Sequence, residues 1–406
     1  MSTDLKRFSK SNNADKEFNK FVSWLREGGA EFPDVAFQKY KENERGVHAK
    51  DNISRGELVI KIPRNLLIHN RLKCKYTDLI EETKLNVPTE NLERITLYML
   101  EHMSDKNSYF TPYFEILPKD LSHIPIFWSE EELENLEASH LIKDILQRQE
   151  ILKKNYDNLC KLPGFKRQFS FEDYCYVRII VASRNFGIII DGHHCSAMVP
   201  LADMLNHHIP PDVKWTFEAP LDSFTMRAQH DIPDGKQIMD SYGHKANNRY
   251  LLFYGFSLKD IDDQYCETCI EFDMQPDNDD DFSTKSNLIN KHFKALLKKG
   301  ERGEFNRLLS QLRILNANKQ ELKLIVNKHR NSFNIPKLSD RNERAALEML
   351  LNILENRYLE YGTTLEENSS QLELAVPYSN EASALNIVMS EKKILEHFIN
   401  LTRSMI

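Results

Sequence analysis

Two short stretches carry most of the chemically useful side chains of this chain. Pro200-Leu201-Ala202-Asp203-Met204-Leu205-Asn206-His207 sets a carboxylate, a carboxamide and an imidazole close together. About thirty-five residues further on comes Asp240-Ser241-Tyr242-Gly243, then Asn247, then Leu251-Leu252-Phe253-Tyr254-Gly255-Phe256. These add the phenol hydroxyls of Tyr242 and Tyr254. A phenol with a pKa near about 10 is neutral at pH 7, so Tyr242 suits a positioning hydroxyl better than a strong base. Asn247 reads as the N-cap of the helix that carries Leu251 and Leu252. Taken alone, Asp203 also suits a cap or a turn, Arg184 a surface helix end, and Tyr254 core packing before a glycine turn.

Other chemistries lack their residues. No glycine fingerprint follows a strand and no phosphate loop is present, which disfavours a Rossmann-type enzyme. Cys266-Glu267-Thr268-Cys269 has metal-like spacing, but no second cysteine pair follows, and a closed zinc site needs four ligands. The stretch Cys266 to Phe272 alternates like a strand instead. The adjacent pairs His193-His194 and His207-His208 point to opposite faces of an extended chain and chelate poorly. No metal site is expected.

The elements that must position these groups can be read from the spacing of apolar residues. Residues 1–17 read as a disordered tail. Phe18, Phe21, Val22 and Leu25 fall at helical spacing, and Gly28-Gly29 stops that helix. Val35–Phe37, Gly46–Ala49 and Glu57–Pro63 read as strands, the last after the turn Ser54-Arg55-Gly56. From about Arg71 to Gln168 the pattern is helical, with a capping box at Ser129 and Glu132 opening a long charged helix towards Cys160. A helix fits Phe171 to Arg184. Strands fit Val213–Ala219 and Ser223–Gln229, and Asp231–Gly235 is a turn. The acidic run Asp277–Asp281 marks a boundary. Beyond it the chain reads as almost entirely helical, with Ala345, Leu347, Leu350, Leu351 and Leu354 on one amphipathic stretch ending near Gly362.

This order predicts an α+β fold, a β-rich core split by a helical insertion and followed by an all-α C-terminal domain. The expected divisions are a tail (1–17), the first part of the core (18–70), the insertion (71–170), the second part of the core (171–272), an acidic linker (273–283) and a helical domain (284–406). At 406 residues, with 41% hydrophobic side chains and a net charge of −7, two or three domains with a sizeable core fit, and a generic phosphate-binding surface does not. Direct nucleic-acid binding is disfavoured for the same reason. Six scattered cysteines form no disulfide framework, and the N-terminus shows no apolar signal core. No apolar run approaches the length of a membrane span. A cytoplasmic or nuclear protein is expected; Lys291, Lys294, Lys298 and Lys299 form only a modest basic face.

Six motifs, in order, resemble one family. Arg45-Gly46-Val47-His48-Ala49, Ile53-Ser54-Arg55-Gly56-Glu57 and Ile62-Pro63 are similar to the opening of a SET domain. Pro112-Tyr113-Phe114-Glu115-Ile116-Leu117-Pro118 and Ser183-Arg184-Asn185-Phe186 are similar to the helical insertion, and the segment closing it, of the Rubisco large-subunit methyltransferase subgroup. Pro200–His207 and Asp240–Phe256 are similar to the cofactor and catalytic motifs. Glu343 to Glu367, with Tyr361-Gly362-Thr363-Thr364-Leu365-Glu366-Glu367, and Glu391-Lys392-Lys393-Ile394-Leu395 resemble the subgroup's substrate-binding domain. The likeness covers roughly residues 18–405.

The resemblance implies an S-adenosylmethionine-dependent protein methyltransferase whose protein substrate docks on the C-terminal helical domain. It assigns Asn43, Glu44, Arg45, Ser183, Arg184, Asn206, His207 and Phe256 to the cofactor, with Arg184 meeting its carboxylate. It implies that the Asn206-His207 segment is tucked under another in a knot-like arrangement. It assigns Arg184, Phe186, Asp203, Tyr242 and Tyr254 to the substrate, with Asp203, Tyr242 and Tyr254 lining the target channel and Tyr242 as the catalytic residue. In the related actin-histidine branch, an asparagine stands at the position of Phe186, so Phe186 favours lysine over histidine as acceptor. Ile188 stands where an arginine helps the Rubisco enzyme hold its substrate. The alternatives are a histidine-directed enzyme and an inactive cofactor-binding module.

Overall fold

The chain is described by a computed structural model over residues 12–40, 45–84, 91–259, 265–273, 281–289, 292–329 and 334–406. Its contacts divide into two units, one of residues 1–121 and 149–244, the other of residues 122–148 and 245–406.

The first unit is built from small sheets and the helices packed on them. The helix Asn12–Glu27 starts earlier than the expected end of the N-terminal tail and stops at Gly28-Gly29, where Gly29 takes φ +90°. Strands Val35–Lys39 and Arg45–Ala49 pair antiparallel. Strands Leu58–Pro63, Ser223–Ala228 and Val213–Glu218 form one three-stranded sheet. Strands Ile68–His69, His193–Met198 and Asn185–Ile190 form another. A two-residue parallel ladder joins Asn206-His207 to Met239-Asp240. This ladder places the two motif stretches side by side.

One junction in this unit matters most for the site. Ser170 and Asp173 form a capping box that starts the helix Phe171–Arg184, and Tyr174, Val177, Ile179, Ile180 and Val181 bury its inner face. The helix runs straight into the strand Asn185–Ile190. The Asn185 amide donates to the carbonyls of Val181 (2.9 Å) and Ala182 (3.2 Å), so the last turn is capped as the chain turns extended. Arg184 is thereby held at the helix end, and Phe186 is the second residue of the strand.

In the second unit the strand expected at Cys266–Phe272 is present as Glu267–Asp273, though without alternating burial, since Thr268, Cys269 and Ile270 are all buried. Its antiparallel partner is the strand His292–Lys298, so the C-terminal region is not all-helical. Phe293, Ala295 and Leu297 are buried while His292 and Lys294 are exposed, a period of two that the lysine-rich composition disguised as a helix face. Helices Gly303–Leu315, Lys319–Lys328, Asp340–Leu359, Leu365–Leu374 and Asn380–Met405 follow. The Ser129 capping box is formed, but it opens only the short helix Glu130–Glu134. Glu137 then takes φ +49°, and a separate helix runs from Leu141 to Leu159, of which residues from 149 on count with the first unit. The centre of the expected acidic linker lies outside the described residues. No described helix is long and apolar enough to cross a membrane.

The helix Asn247–Tyr254 ends at Gly255, which takes φ +77° and donates its N–H to Leu251 O. A Cβ at Gly255 would lie 2.3 Å from His123 Cδ2 and 2.9 Å from the His123 carbonyl oxygen. Gly255→Ala is therefore expected to lower stability by at least about 1–2 kcal/mol, from the left-handed backbone and the displaced His123 backbone together. Denaturant unfolding of the two proteins measures the difference, and equal midpoints would contradict this account of the turn.

Candidate active site

The first unit buries a carboxylate between donors. Leu201 adopts φ +71°, outside the range that branched side chains favour, and the short turn Ala202–Met204 that follows aims Asp203 inward. The Asp203 side chain is fully buried. Tyr113 Oη donates to its Oδ2 at 2.9 Å. Arg184 Nη1 donates to the Asp203 carbonyl at 2.7 Å and lies 3.5 Å from Oδ2. Burial pushes the Asp203 carboxyl up from its ordinary range, and Arg184, Tyr113 and Arg45 pull it back. Tyr113 is pushed well up, first by burial and then by the carboxylate, so it stays protonated and donates.

Arg45 completes this centre. Burial brings its guanidinium down to about 10, and repulsion from Arg184 adds to that. Two guanidinium groups thus share one carboxylate. Arg45 Nη1 donates to Ile116 O, whereas Nη2 is buried with no hydrogen-bond partner among the described residues. Asp203 Oδ1 is likewise buried and unpartnered. A buried cation in excess, with an unused donor, suits an anionic ligand group.

The ladder brings the two motifs into hydrogen-bond contact. The Tyr242 N–H donates to His207 Nδ1 at 3.0 Å, which places the proton of a neutral His207 on Nε2. Tyr242 Oη donates to Leu205 O at 2.8 Å, and the His207 and Tyr242 rings lie 5.2 Å apart. The phenol proton is thus committed to a carbonyl, and the oxygen keeps acceptor capacity.

Asn206 is tied down by its amide. Nδ2 donates to Arg45 O (2.7 Å) and to Gln237 Oε1 (2.8 Å). Gln237 Nε2 donates in turn to Tyr40 Oη at 2.6 Å, Tyr40 meets His48 Nε2, and His48 Nδ1 lies 2.8 Å from Gly235 O. Gly46 is needed where this bridge crosses it: a Cβ there would fall 2.7 Å from Gln237 Cδ and 2.9 Å from Tyr40 Oη. Gln237 and Tyr40 belong to no motif, and no sequence signal marked them. Tyr113 lies inside a motif, but its partnership with Asp203 spans 90 residues.

The remaining expected residues are placed as follows. Asp203 faces Arg184 and Tyr113 in the interior, with its side chain fully buried. Ser183 Oγ bonds back to the carbonyls of Ile179 and Ile180 within its own helix. Phe186 packs edge-on against Trp215 and Phe224, with ring centres 5.4 and 5.1 Å away, and Ile188 is buried. Asn43 and Glu44 lie outside the described residues. Tyr254 and Phe256 belong to the second unit, where Phe256 stacks on Tyr250 at 5.2 Å and burial raises the Tyr254 hydroxyl. Asn247 does not cap its helix: Ala246 holds that position. Its amide instead donates to Leu258 O and accepts from Leu258 N–H, both at 2.9 Å, bracing the chain beyond Gly255. Cys266 and Cys269 are buried, and burial raises the Cys269 thiol to about 11.

Asp240, in the ladder, is buried, and burial pushes its carboxyl up to about 6 against the pull of the Ser241 N–H. Its folded value lies above its unfolded one. The stabilising contribution of the neutral form is therefore complete below about pH 4 and is lost as pH rises through about 6, where charging costs about 3 kcal/mol. Asp240→Asn is expected to raise the thermal midpoint at pH 8 and to give no gain at pH 4. A gain that does not grow between those pH values would contradict the assignment.

Comparison with known proteins adds a second line of observation. Residues 44–243 match the family model of the SET domain, and residues 276–395 match that of the Rubisco LSMT substrate-binding domain. The chain is 25% identical over 253 residues to the actin-histidine N-methyltransferases of Xenopus tropicalis and Canis lupus familiaris, covering 59% of this chain. It spans 43% and 42% of their lengths, less than half of the curated relatives it matches. Among solved structures, the SET domain of LSMT bound to lysine and AdoHcy superposes with a TM-score of 0.77 at 21% identity, over 96% of this chain and 91% of that one. Rubisco LSMT bound to AdoMet gives 0.75 at 21% identity, over 96% and 92%.

Proposed function

We propose that this chain, which belongs to the SET-domain family and carries a Rubisco LSMT substrate-binding domain after its SET domain, is an S-adenosylmethionine-dependent protein-lysine methyltransferase. The observation that carries the reading is the buried centre in which Arg45 and Arg184 share the single carboxylate of Asp203. Its excess positive charge and the unused Arg45 Nη2 fit the carboxylate of the cofactor's amino-acid end. The Asn206 amide hydrogens are spent on Arg45 O and Gln237, so Asn206 offers its carbonyl oxygen and backbone to the ligand. S-adenosylmethionine, when bound, supplies an activated methyl group on a sulfonium.

The chain's own task is to deliver a neutral, aligned acceptor. A free lysine, with a pKa near about 10.4, needs on the order of 4 kcal/mol to become neutral at pH 7. Desolvation and a nearby positive charge both lower that cost. Tyr242, its proton directed at Leu205 O, accepts from the incoming amine and so turns the amine's lone pair towards the transferred methyl. Rate then comes from alignment and exclusion of water, with no covalent intermediate on the protein.

Phe186 supports lysine. Its ring, held edge-on against Trp215 and Phe224, presents hydrocarbon that packs against an alkyl stem and itself offers no hydrogen-bond partner to an imidazole nitrogen. Histidine is the second reading, favoured by the names of the curated relatives. The six free cysteines support a reducing compartment, cytoplasmic or nuclear.

Incubation with labelled S-adenosylmethionine and a whole-cell extract, followed by mass spectrometry of the labelled peptide, tests the reading. A methylated lysine is expected; a methylated histidine overturns the acceptor, and absence of label overturns the activity. Tyr242→Phe is expected to lower turnover by about 100-fold through lost acceptor alignment, while S-adenosylhomocysteine binding changes little, since the Tyr242 N–H to His207 bond that holds the ladder is a backbone contact and is kept. Unchanged turnover removes Tyr242 from that role.

A further inference from the structure

The second unit carries a surface whose composition differs from the rest of the chain. Between Tyr358 and Glu391 there are six glutamates (360, 366, 367, 373, 381 and 391) and no lysine or arginine. Glu391 is buried, where it accepts from Ser139 Oγ at 2.7 Å and pairs with His140 at 3.0 Å. The other five are exposed. The next cation along the chain, Lys392, does not offset them at the surface. It is fully buried, donating to Thr363 and Asn368 at 2.7 Å and lying 3.5 Å from Glu137.

Within this acidic stretch the chain exposes large apolar side chains in close succession. The helix Leu365–Leu374 ends, and the connection to the helix Asn380–Met405 follows. Leu374 is 88% exposed, Val376 64% and Tyr378 75%. Singly exposed apolar residues are ordinary, but three within five residues form a patch of the kind that marks an interaction site. The backbone there is held in place. The Ala375 N–H donates to Gln371 O (2.9 Å), the Ser379 N–H donates to Val376 O (3.0 Å), and Ser379 Oγ caps the next helix by accepting from Ala382 N–H at 3.1 Å. The apolar side chains are therefore presented by an ordered connection between two helices.

We propose that this acidic, apolar shoulder docks a polypeptide segment in which lysine or arginine alternates with apolar side chains. The apolar residues of the segment cover Leu374, Val376 and Tyr378, while its cations face Glu366, Glu373 and Glu381. The charge selects the partner's sign and speeds encounter, and the apolar contacts slow release. The same negative surface repels nucleic acid. The proposal deepens the methyltransferase reading and rests on it where it makes this segment part of the methylated protein; the binding itself does not depend on catalysis.

The test uses the full chain and three labelled peptides of about 15 residues, followed by fluorescence anisotropy at about 20 and 200 mM salt. One alternates lysine with leucine, one replaces the leucines with serine, and one replaces the lysines with glutamate. The first is expected to bind at least about tenfold tighter than either other, and to weaken as salt rises. The variants E366K/E373K and L374S/V376S, checked for unchanged thermal midpoints, are each expected to weaken it by about tenfold. Glu367 is spared because its side chain accepts from the Thr364 N–H and closes a helix cap.

Equal binding of the three peptides, or binding that neither variant alters, overturns the proposal. On whatever protein the labelling experiment identifies, both variants are expected to raise KM with kcat unchanged. Label transfer with no peptide selectivity overturns the docking surface and leaves the enzyme reading standing. Selective peptide binding without label transfer supports the surface and counts against the enzyme.

Discussion

The first unit is organised around an unequal charge balance: two largely enclosed guanidinium groups and one fully buried carboxylate. Leaving such groups unpaired in the interior is costly, so the elements that carry them must meet. Arg184 comes from the end of a helix, Asp203 from a turn entered through a left-handed leucine, Arg45 from the start of a strand, and Tyr113 from the helix Thr111–Ile116. Each is positioned by its own local structure. The helix-to-strand junction at Asn185 sets Arg184, and the backbone of Leu201 sets Asp203. The residual positive charge and the unused Arg45 Nη2 are what support the proposed ligand role of this centre.

A second set of contacts turns that centre into a reactive arrangement. The parallel ladder between Asn206-His207 and Met239-Asp240 is only two residues long, so backbone pairing alone holds it weakly. Side chains reinforce it from both sides. Tyr242 bonds to His207 and to Leu205 O, and Asn206 is fastened to Arg45 O and, through Gln237 and Tyr40, to the first strand pair. The side chain bearing the proposed chemistry is thus fixed by the segment bearing the proposed ligand contacts. Preorganisation of this kind is what an alignment-driven transfer requires.

The second unit solves a different problem. Its polar interior is built from paired groups, with Glu391 among Ser139, His140 and Tyr361, and Lys392 among Glu137, Thr363 and Asn368. Those pairings use up charges that would otherwise reach the surface. What remains outside, between the helices Leu365–Leu374 and Asn380–Met405, is glutamate and exposed hydrocarbon. Charge sequestered in the core and charge displayed outside are therefore linked, because burying Lys392 withdraws a cation from a surface where, of the exposed glutamates, Glu360 is paired with Arg357.

Local sequence determined what depends on neighbours within a turn or two. The capping box at Ser129, the Gly28-Gly29 stop, the helix Phe171–Arg184, the strand at Cys266–Phe272 and the order of motifs were all legible, because each rests on spacing or on a residue-specific backbone preference. The strand His292–Lys298 was hidden because its alternation is short and its lysines also suit a helix face. Asn247 was assigned to a cap because asparagine favours that position, while the structure uses both ends of its amide to hold Leu258. Only tertiary structure decided that Asp203 is a buried partner of Tyr113 and Arg184, and that Gln237 and Tyr40 anchor Asn206. Those contacts join residues far apart in sequence, and nothing in local spacing records which distant donor will satisfy a buried acceptor.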